Sequence, residues 1–202
     1  MVNKKLNGGQ LAGGNPKQGR VADDFYATAP DDTRVFLSAV DYDFDQKSVL
    51  EPSAGQGHIM DVLTAHADVK VTGRDLVDRG RADIETPVDF LADSRTEQFD
   101  AVVMNPPFSL AKEFVDQALT KAPTVMMFAK LQFLEGVKRY DWFKTVPLKS
   151  VYVYSYRASP WRNGEPTDAN GKRWASTMTF AWFIFEKGYT GEPTIRWLNK
   201  HE

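Results

Sequence analysis

The order of short apolar runs and amphipathic segments is the feature that most restricts how this chain can fold. From about residue 30 onward, strand-like runs such as 48–50 and 101–104 alternate with segments whose apolar residues recur at the helical spacing. Strands that alternate with helices are typical of α/β proteins with a mainly parallel sheet. The pattern therefore predicts an α/β fold, and 202 residues suffice for one core of this kind.

Local periodicity predicts the individual elements. We expect a helix from residue 30, with acids in its first turn, and a buried strand over 48–50 that leads through a glycine turn into a second helix. Further strands are expected at 69–73, 88–91, 101–104 and 124–128, and a further helix at 110–121. Three aromatic or β-branched runs, 151–156, 177–186 and 194–198, follow without helices between them. We predict that these three runs pair antiparallel at one end of the sheet.

Composition divides the chain into an arm and one domain. Residues 1–22 are rich in glycine, contain four basic residues and no acid, and have few apolar side chains. Such a segment buries too little apolar surface to order itself, so we predict a flexible basic arm. We predict one folded domain over 23–202, in which the polar, Gly- and Pro-containing segment 157–176 is an insertion.

The absence of cysteine excludes several classes of chemistry. With no thiol, the chain has no disulfide, no cysteine-ligated zinc, no iron–sulfur cluster and no thiolate nucleophile. The longest apolar run, 178–185, is far shorter than the ~20 residues that cross a bilayer, and we expect no membrane partner. His58 and His66 have no third ligand at metal spacing, so we interpret them as packing or surface residues and predict no metal. The polar N-terminus does not resemble a secretory signal, which favours a cytoplasmic location.

The net charge is only −2, but the charged residues are unevenly distributed along the chain. Residues 23–137 hold 21 acidic and 10 basic residues, whereas 138–173 hold 8 basic and 3 acidic residues. The basic part of the chain is either solvated surface or the place where a polyanion docks. Cations mixed with aromatic rings are typical of nucleic-acid contacts, and the candidates are Arg157, Trp161, Arg162, Lys172, Arg173 and Trp174. The alternative is a solvated loop over hydrophobic strands.

Two polar elements follow predicted strands at the edge where α/β sheets bind ligands. The loop 51–57 (EPSAGQG) follows the strand over 48–50, and its glycines allow a ligand to approach the backbone closely. It lacks the lysine of a phosphate loop and the third glycine of a dinucleotide loop, so it suits phosphates poorly. Glu51 would favour a cation or hydroxyls, and Asp75 after the next strand is suited to ribose hydroxyls.

A third element, residues 105–108 (NPPF), follows the strand over 101–104. The side-chain oxygen of Asn105 and a rigid backbone carbonyl, side by side, can accept both hydrogens of one amino group. The ring of Phe108 offers a stacking surface beside them. The pattern therefore indicates a site for an NH₂ group on a flat ring, and the alternative is a simple turn that ends a strand.

Taken together, residues 49–57 (VLEPSAGQG) and 105–108 (NPPF) resemble the class I S-adenosylmethionine-dependent amino-methyltransferases. In particular, residues 23 to 200 are similar to the small N6-adenine DNA methyltransferases of bacteriophages. Residues 24–28 (DFYAT) resemble the upstream motif that closes over the methionine part of the cofactor, and the motif order resembles the gamma arrangement. The resemblance implies a Rossmann-like sheet, S-adenosyl-L-methionine as cofactor and, for a viral chain, the host cytoplasm.

The resemblance also implies a role for individual residues. Those implied to bind the cofactor are Phe25, Tyr26, Thr28, Glu51, Pro52, Ala54, Gly55, Gly57, Asp75, Leu76, Asp89, Phe90 and Asn105. Those implied to be catalytic are Asn105, Pro106, Pro107 and Phe108. Asp89 with Phe90 would hold the adenine of the cofactor, although Asp93 is an alternative to Asp89. The insertion 157–176 would be the target-recognition loop of the methyltransferase domain.

The implied reaction is methylation of the N6 amine of adenine in double-stranded DNA, with the base flipped onto Phe108. Cytosine C5 methylation needs a cysteine nucleophile, which this chain lacks. An Asn-Pro-Pro-aromatic tetrad also occurs in methyltransferases of RNA and of protein glutamine, so these substrates stay open. A further alternative is a nucleic-acid-binding module that has lost catalysis. The sequence predicts neither the target sequence nor the oligomeric state.

Overall fold

The computed structural model describes residues 25–174 and 176–200, in which strands and helices alternate as the sequence predicts. The strands are β1 (Tyr26–Ala27), β2 (Ser48–Glu51), β3 (Lys70–Arg74), β4 (Ile84–Glu85), β5 (Ala101–Met104), β6 (Thr124–Lys130), β7 (Leu148–Tyr154), β8 (Trp161–Arg162), β9 (Phe180–Glu186) and β10 (Thr194–Leu198). The helices are α1 (Pro30–Ala39), α2 (His58–His66), α3 (Ala111–Lys121) and α4 (Val137–Phe143), with short 3₁₀ helices at Phe108–Leu110 and Leu131–Leu134. The predicted arm over 1–22 lies outside the described residues. No helix in these two ranges is long and apolar enough to cross a membrane.

Eight strands form one sheet in the order β10-β7-β9-β6-β5-β2-β3-β4. Neighbouring strands are parallel except at β9, which runs antiparallel to both β6 and β7. This arrangement confirms the predicted α/β class, with a Rossmann-like, mostly parallel sheet and antiparallel pairing near the C-terminus. The short strands β1 and β8 pair antiparallel outside this sheet.

The central strands are buried on both faces because helices cover both sides of the sheet. Val103 and Met126 lie in the core that packs under α1 and α2, whereas Val102 and Val125 lie in the core under α3. A strand buried on both faces reads as a continuous apolar run without alternation. The sequence of residues 101–104 shows this pattern.

The strand order reverses at β2, and this reversal positions the functional site. The chain continues from β2 to β3 on one side and later returns to β5 on the other side of β2. In open parallel sheets, ligands bind in the crevice outside the carboxyl ends of the strands at such a point. The crevice of this protein therefore lies just beyond Glu51 and Met104, where the two predicted motifs begin.

The predicted strand over 88–91 is wrong. The strand that pairs with the end of β3 is β4, which comes a few residues earlier in the chain. The segment that follows hydrogen-bonds within itself, because Ala92 N donates to Asp89 O and Asp93 N donates to Phe90 O. Val88 N still donates to Asp75 O at 2.8 Å, but the turns that follow it do not continue this pairing as a strand.

The C-terminal strands differ from the prediction in one pairing. β9 pairs antiparallel as expected, but β10 lies parallel to β7, so the expectation of three antiparallel runs is wrong for β10. Both edges of β9 are already occupied by β6 and β7. The chain therefore reverses once after β9 and joins the free edge of β7, which gives β10 the same direction as β7.

Candidate active site

A cavity of about 950 Å³, counted with its open mouth, lies at the carboxyl ends of β2, β3 and β5. Most of the predicted site residues line it: Phe25, Tyr26, Thr28, Glu51, Pro52, Ala54, Asp75, Leu76, Asp89, Phe90, Asn105, Pro106 and Pro107. Gly55, Gly57 and Phe108 lie beside the cavity without lining it. The geometry thus brings the three motifs together, while the assignment of each residue to cofactor or substrate stays a prediction.

The glycine loop between β2 and α2 is closely packed from two sides. Gly55 has φ +57°, and a Cβ there would overlap the ring of Phe25 from the upstream motif. Gly57 has φ +79°, and a Cβ there would come within 2.9 Å of the Arg81 guanidinium. Both positions therefore need glycine for conformation and for space.

Arg81 stabilises the same loop, a role that the sequence analysis did not predict. Its guanidinium donates to Gln56 O at 3.2 Å and forms an ion pair with Asp61 in the first turn of α2 at 3.0 Å. A further hydrogen bond joins it to Asp83 at 2.8 Å. The residue lies in a charged run that local sequence reads as solvated surface, so only the packing reveals its role.

Asp75 connects the end of β3 to the glycine loop. Its Oδ2 accepts a hydrogen bond from Gly55 N at 2.7 Å, and its Oδ1 accepts one from Val77 N at 2.8 Å. Each carboxylate oxygen can accept a second hydrogen bond. The carboxylate is thus held rigidly at the cavity with acceptor capacity left for hydroxyl groups.

Glu51 is a buried carboxyl group at the end of β2, with 2% of its surface exposed. Its Oε2 accepts a hydrogen bond from Met60 N at 3.1 Å. Burial raises the pKa of Glu51 well above its ordinary value, and the nearby Asp75 carboxylate raises it further. A carboxyl group in this state favours a cationic ligand, because a positive charge beside it would stabilise its ionised form.

Asn105 is fixed by contacts to both neighbouring motifs. Its side-chain Nδ2 donates to Tyr26 O at 2.6 Å, and its own backbone O accepts a hydrogen bond from Ser53 Oγ at 3.2 Å. A carbonyl can only accept, so the amide nitrogen must face Tyr26, and this determines which way the amide points. Oδ1 is consequently left as the acceptor on the other side of the amide.

Phe108 packs in an aromatic group beside the cavity. Its ring centroid lies 6.2 Å from that of Tyr26, with 24° between the planes, and 6.0 Å from that of Phe180. Lys130 Nζ lies 4.7 Å from the centroid of Phe108. The ring is half-buried, so one part of it is accessible for stacking.

The structure distinguishes Asp89 from Asp93, which the sequence leaves as alternatives for holding the adenine of the cofactor. Asp89 is exposed and lines the cavity. Asp93 does not line it, because its buried side chain pairs with Arg74 at 3.5 Å and with Arg95 at 2.9 Å. Leu76 also lines the cavity and is 61% exposed.

Two polar atoms at the cavity have no partner among the described residues. Thr28 Oγ1 and Arg79 Nε are both buried without a hydrogen bond, and both residues line the cavity. The guanidinium of Arg79 also lies 3.9 Å from the ring centroid of Phe25. Buried polar groups are nearly always paired in folded proteins, so these two point to a polar ligand. Sequence reasoning identified Thr28 and missed Arg79, which lies in a charged run.

The insertion 157–176 folds back over the upstream motif. β8 pairs antiparallel with β1, so that Arg162 is opposite Tyr26. The ring of Trp161 meets His58 edge to face, with 5.4 Å between centroids. His58 is therefore a packing residue that also lines the cavity, and burial lowers its pKa.

The residues predicted to contact nucleic acid have different environments. Arg157, Lys172 and Arg173 are exposed, whereas Trp161, Arg162 and Trp174 are half-buried. Trp174 donates its indole N–H to Glu165 O at 2.6 Å and lies beneath the Arg162 guanidinium at 5.3 Å. The aromatic residues thus help to fold the insertion, and the contact of this group with nucleic acid stays a prediction.

Comparison with known proteins adds information on the fold alone. No family model matches the sequence, and no curated protein sequence matches it. A candidate RNA methyltransferase from Pyrococcus horikoshii aligns with a TM-score of 0.57 and 16% identity, covering 78% of this chain and 82% of its own. A type I restriction-modification methyltransferase subunit from Streptococcus thermophilus aligns with a TM-score of 0.57 and 12% identity, covering 82% of this chain and 45% of its own.

A third solved structure, an S-adenosylmethionine-dependent O-methyltransferase from Thermotoga maritima, aligns with a TM-score of 0.54 and 15% identity. It covers 83% of this chain and 69% of its own. The three proteins are described as different kinds of methyltransferase, and identities this low relate folds and not activities. The chain therefore has the Rossmann-like fold found in class I methyltransferases.

Proposed function

We propose that this protein transfers a methyl group from S-adenosyl-L-methionine to the exocyclic N6 amine of adenine in DNA. The observation that carries the proposal is the hydrogen bond from Asn105 Nδ2 to Tyr26 O, at 2.6 Å. It occupies the donor side of the amide and leaves Oδ1 as an acceptor at the edge of the cavity. An acceptor held in this way, next to the Pro106 carbonyl, suits both hydrogens of a planar amino group.

The lining of the cavity fits the cofactor. Glu51 is a buried carboxyl group whose raised pKa favours a cationic neighbour, which matches a sulfonium or an α-ammonium group. Asp75 has acceptor capacity for ribose hydroxyls. The unpartnered Nε of Arg79 and Oγ1 of Thr28 are suited to the carboxylate of the methionine part. At the other end of the lining, Asp89 would hold the adenine.

When bound, S-adenosyl-L-methionine supplies a methyl group attached to a positively charged sulfur. The amine of the base is a weak nucleophile, because its lone pair is delocalised into the ring. Asn105 Oδ1 and Pro106 O accept its two hydrogens and stabilise the positive charge that builds on nitrogen, by preorganised electrostatics. In such a transfer the nitrogen lone pair would form the new bond to carbon as the bond from carbon to sulfur breaks with its electrons left on sulfur, and the surplus proton would leave to solvent.

The choice of adenine in DNA rests on the motifs and on charge. The motif pair at 49–57 and 105–108 resembles the phage DNA enzymes, and a half-accessible Phe108 suits stacking on a flipped base. The excess of basic residues in 138–173 would attract double-stranded DNA as partner. Methylation of RNA, or of a protein glutamine, uses the same kind of acceptor pair and is the second candidate.

Transfer of labelled methyl to unmethylated DNA, with tRNA, rRNA and bulk protein in parallel, tests the proposal. Nucleoside mass analysis should then find N6-methyldeoxyadenosine. Label only in RNA or in protein would keep the reaction and overturn the substrate. Cofactor binding without transfer to any of the four would overturn the reaction and favour a binding module that has lost catalysis.

A further inference from the structure

The first residue of α2, His58, is an ionisable group of the cavity to which the proposed function gives no role. It lines the cavity together with Thr28 and Glu51. Its ring meets Trp161 of the insertion edge to face, and this packing holds the ring in place. Packing alone does not account for an imidazole here, because a phenylalanine ring could make the same contact.

The ring nitrogens of His58 are available to a ligand. In the described part of the chain, neither nitrogen makes a hydrogen bond, and no carboxylate forms an ion pair with the ring. Asp61, Arg81 and Glu165 are the charged groups near it, and burial lowers the pKa of His58 below its ordinary value. The ring is therefore neutral near pH 7. A neutral imidazole has one N–H donor and one acceptor nitrogen.

His58 lies where the upstream motif meets the glycine loop. Ala27 is opposite Trp161 in the β1–β8 pair, and the centroids of the Trp161 and His58 rings are 5.4 Å apart. Glu51 accepts its hydrogen bond from a backbone N–H in the first turn of α2, the turn that His58 begins. Asp89 follows β4, which lies at the edge of the sheet beyond β3. His58 is therefore on the side of the cavity proposed above for the methionine part of the cofactor, away from its adenine.

We propose that the acceptor nitrogen of His58 binds the α-ammonium group in the methionine part of S-adenosyl-L-methionine. This inference rests on the proposed function and adds a cofactor contact that the three sequence motifs do not include. An ammonium group has three N–H donors, so it can serve Glu51 and His58 together. The neutral state of the ring is essential, because an imidazolium would repel the same group.

The first test measures the binding of S-adenosyl-L-homocysteine, the product of the proposed reaction, by calorimetry. This compound carries the ammonium group without the charge on sulfur. His58→Phe keeps an aromatic ring against Trp161 and should raise the Kd about tenfold, because a hydrogen bond to a charged group is lost. His66→Phe is the matched control and should bind like the wild type. His66 lies at the other end of α2, meets Phe44 edge to face and does not line the cavity.

The second test removes the ammonium group in place of the imidazole. The tenfold penalty of His58→Phe should disappear with the deamino analogue of S-adenosyl-L-homocysteine, because the two changes remove one interaction. A penalty of equal size with both compounds would overturn the subsite and leave the proposed function. Unchanged binding of S-adenosyl-L-homocysteine by His58→Phe would do the same.

A third measurement needs no variant. NMR titration of the His58 ring in the wild type should give a lower pKa in the complex with S-adenosyl-L-homocysteine than in the complex with the deamino analogue. The reason is that a neighbouring ammonium group disfavours the imidazolium, and equal pKa values in the two complexes would overturn the subsite. A wild type that shows this difference but transfers no methyl group would overturn the proposed reaction and leave the subsite. Absence of binding of S-adenosyl-L-homocysteine and of the cofactor would overturn both.

Discussion

The side-chain amide of Asn105 donates a hydrogen bond to the backbone carbonyl of Tyr26 at 2.6 Å, across 79 residues of sequence. This bond joins the turn after β5 to the upstream motif and determines the orientation of the amide. The same Tyr26 is opposite Arg162 in the β1–β8 pair. The insertion, the upstream motif and the predicted catalytic amide are thus connected through one short strand.

We predict that Asn105→Asp is nearly as inactive as Asn105→Ala. An ionised aspartate would place a carboxylate oxygen against Tyr26 O, where the amide nitrogen now donates, so the side chain must turn away or take up a proton. Methyl transfer should fall about 100- to 1,000-fold in both variants, while calorimetric cofactor binding changes little. Wild-type turnover by Asn105→Asp would show that the orientation of the amide does not matter.

Glu51→Gln should stabilise the free protein and weaken cofactor binding. The folded state raises the pKa of Glu51, so its contribution to stability is present at low pH and is lost as pH rises through the folded pKa. Glutamine keeps an acceptor for Met60 N without the buried charge. Thermal melts from pH 4 to about 9 should give the variant an advantage that grows with pH.

Cofactor affinity should change with pH in the opposite direction to the stability of the free protein. Wild-type affinity for the cationic cofactor should strengthen as pH rises through the raised pKa of Glu51, because only the ionised carboxyl attracts it. The affinity of Glu51→Gln should be weaker and nearly independent of pH in that range. A parallel pH profile for the two proteins would assign the dependence to another group.

Removing the unpartnered donors at the cavity should affect the cofactor more than the fold. Arg79→Met and Thr28→Val keep much of the packing volume and delete Nε and Oγ1, which have no partner among the described residues. Each should raise the Kd of the cofactor about tenfold, because a hydrogen bond to a charged group is lost. Melting temperatures of the free variants should equal or exceed that of the wild type, and a large loss would point to a structural role.

Gly55→Ala should destabilise the protein and prevent cofactor binding. Alanine at φ +57° is strained by about 1–3 kcal/mol, and its Cβ would overlap the ring of Phe25. Gly80→Ala is the matched control, since Gly80 has φ +84° and a Cβ added there would meet no atom within 4 Å. In chemical denaturation, the free energy of unfolding of Gly80→Ala should fall only by the energy of this backbone strain. Equal cofactor affinity in both variants would argue against contact of the loop with the cofactor.

The sequence alone determined the α/β class and the position of the three motifs. Glu51 and Asn105 each come at the end of a buried apolar run, Asp75 follows the more polar strand β3, and parallel strands end at a common edge. Their proximity therefore follows from local patterns plus one topological rule. The requirement for glycine at position 55 was also predictable, because a turn between a strand and a helix that a ligand approaches closely favours that residue.

Only the tertiary structure decided which charged residues line the cavity. Asp89 and Asp93 are equivalent in local sequence, yet Asp93 is buried with Arg74 and Asp89 lines the cavity. Arg79, which lines the cavity, and Arg81, which holds the glycine loop, lie in a charged run without periodicity. Their roles depend on contacts between residues far apart in the chain, and side-chain periodicity carries no information about such contacts.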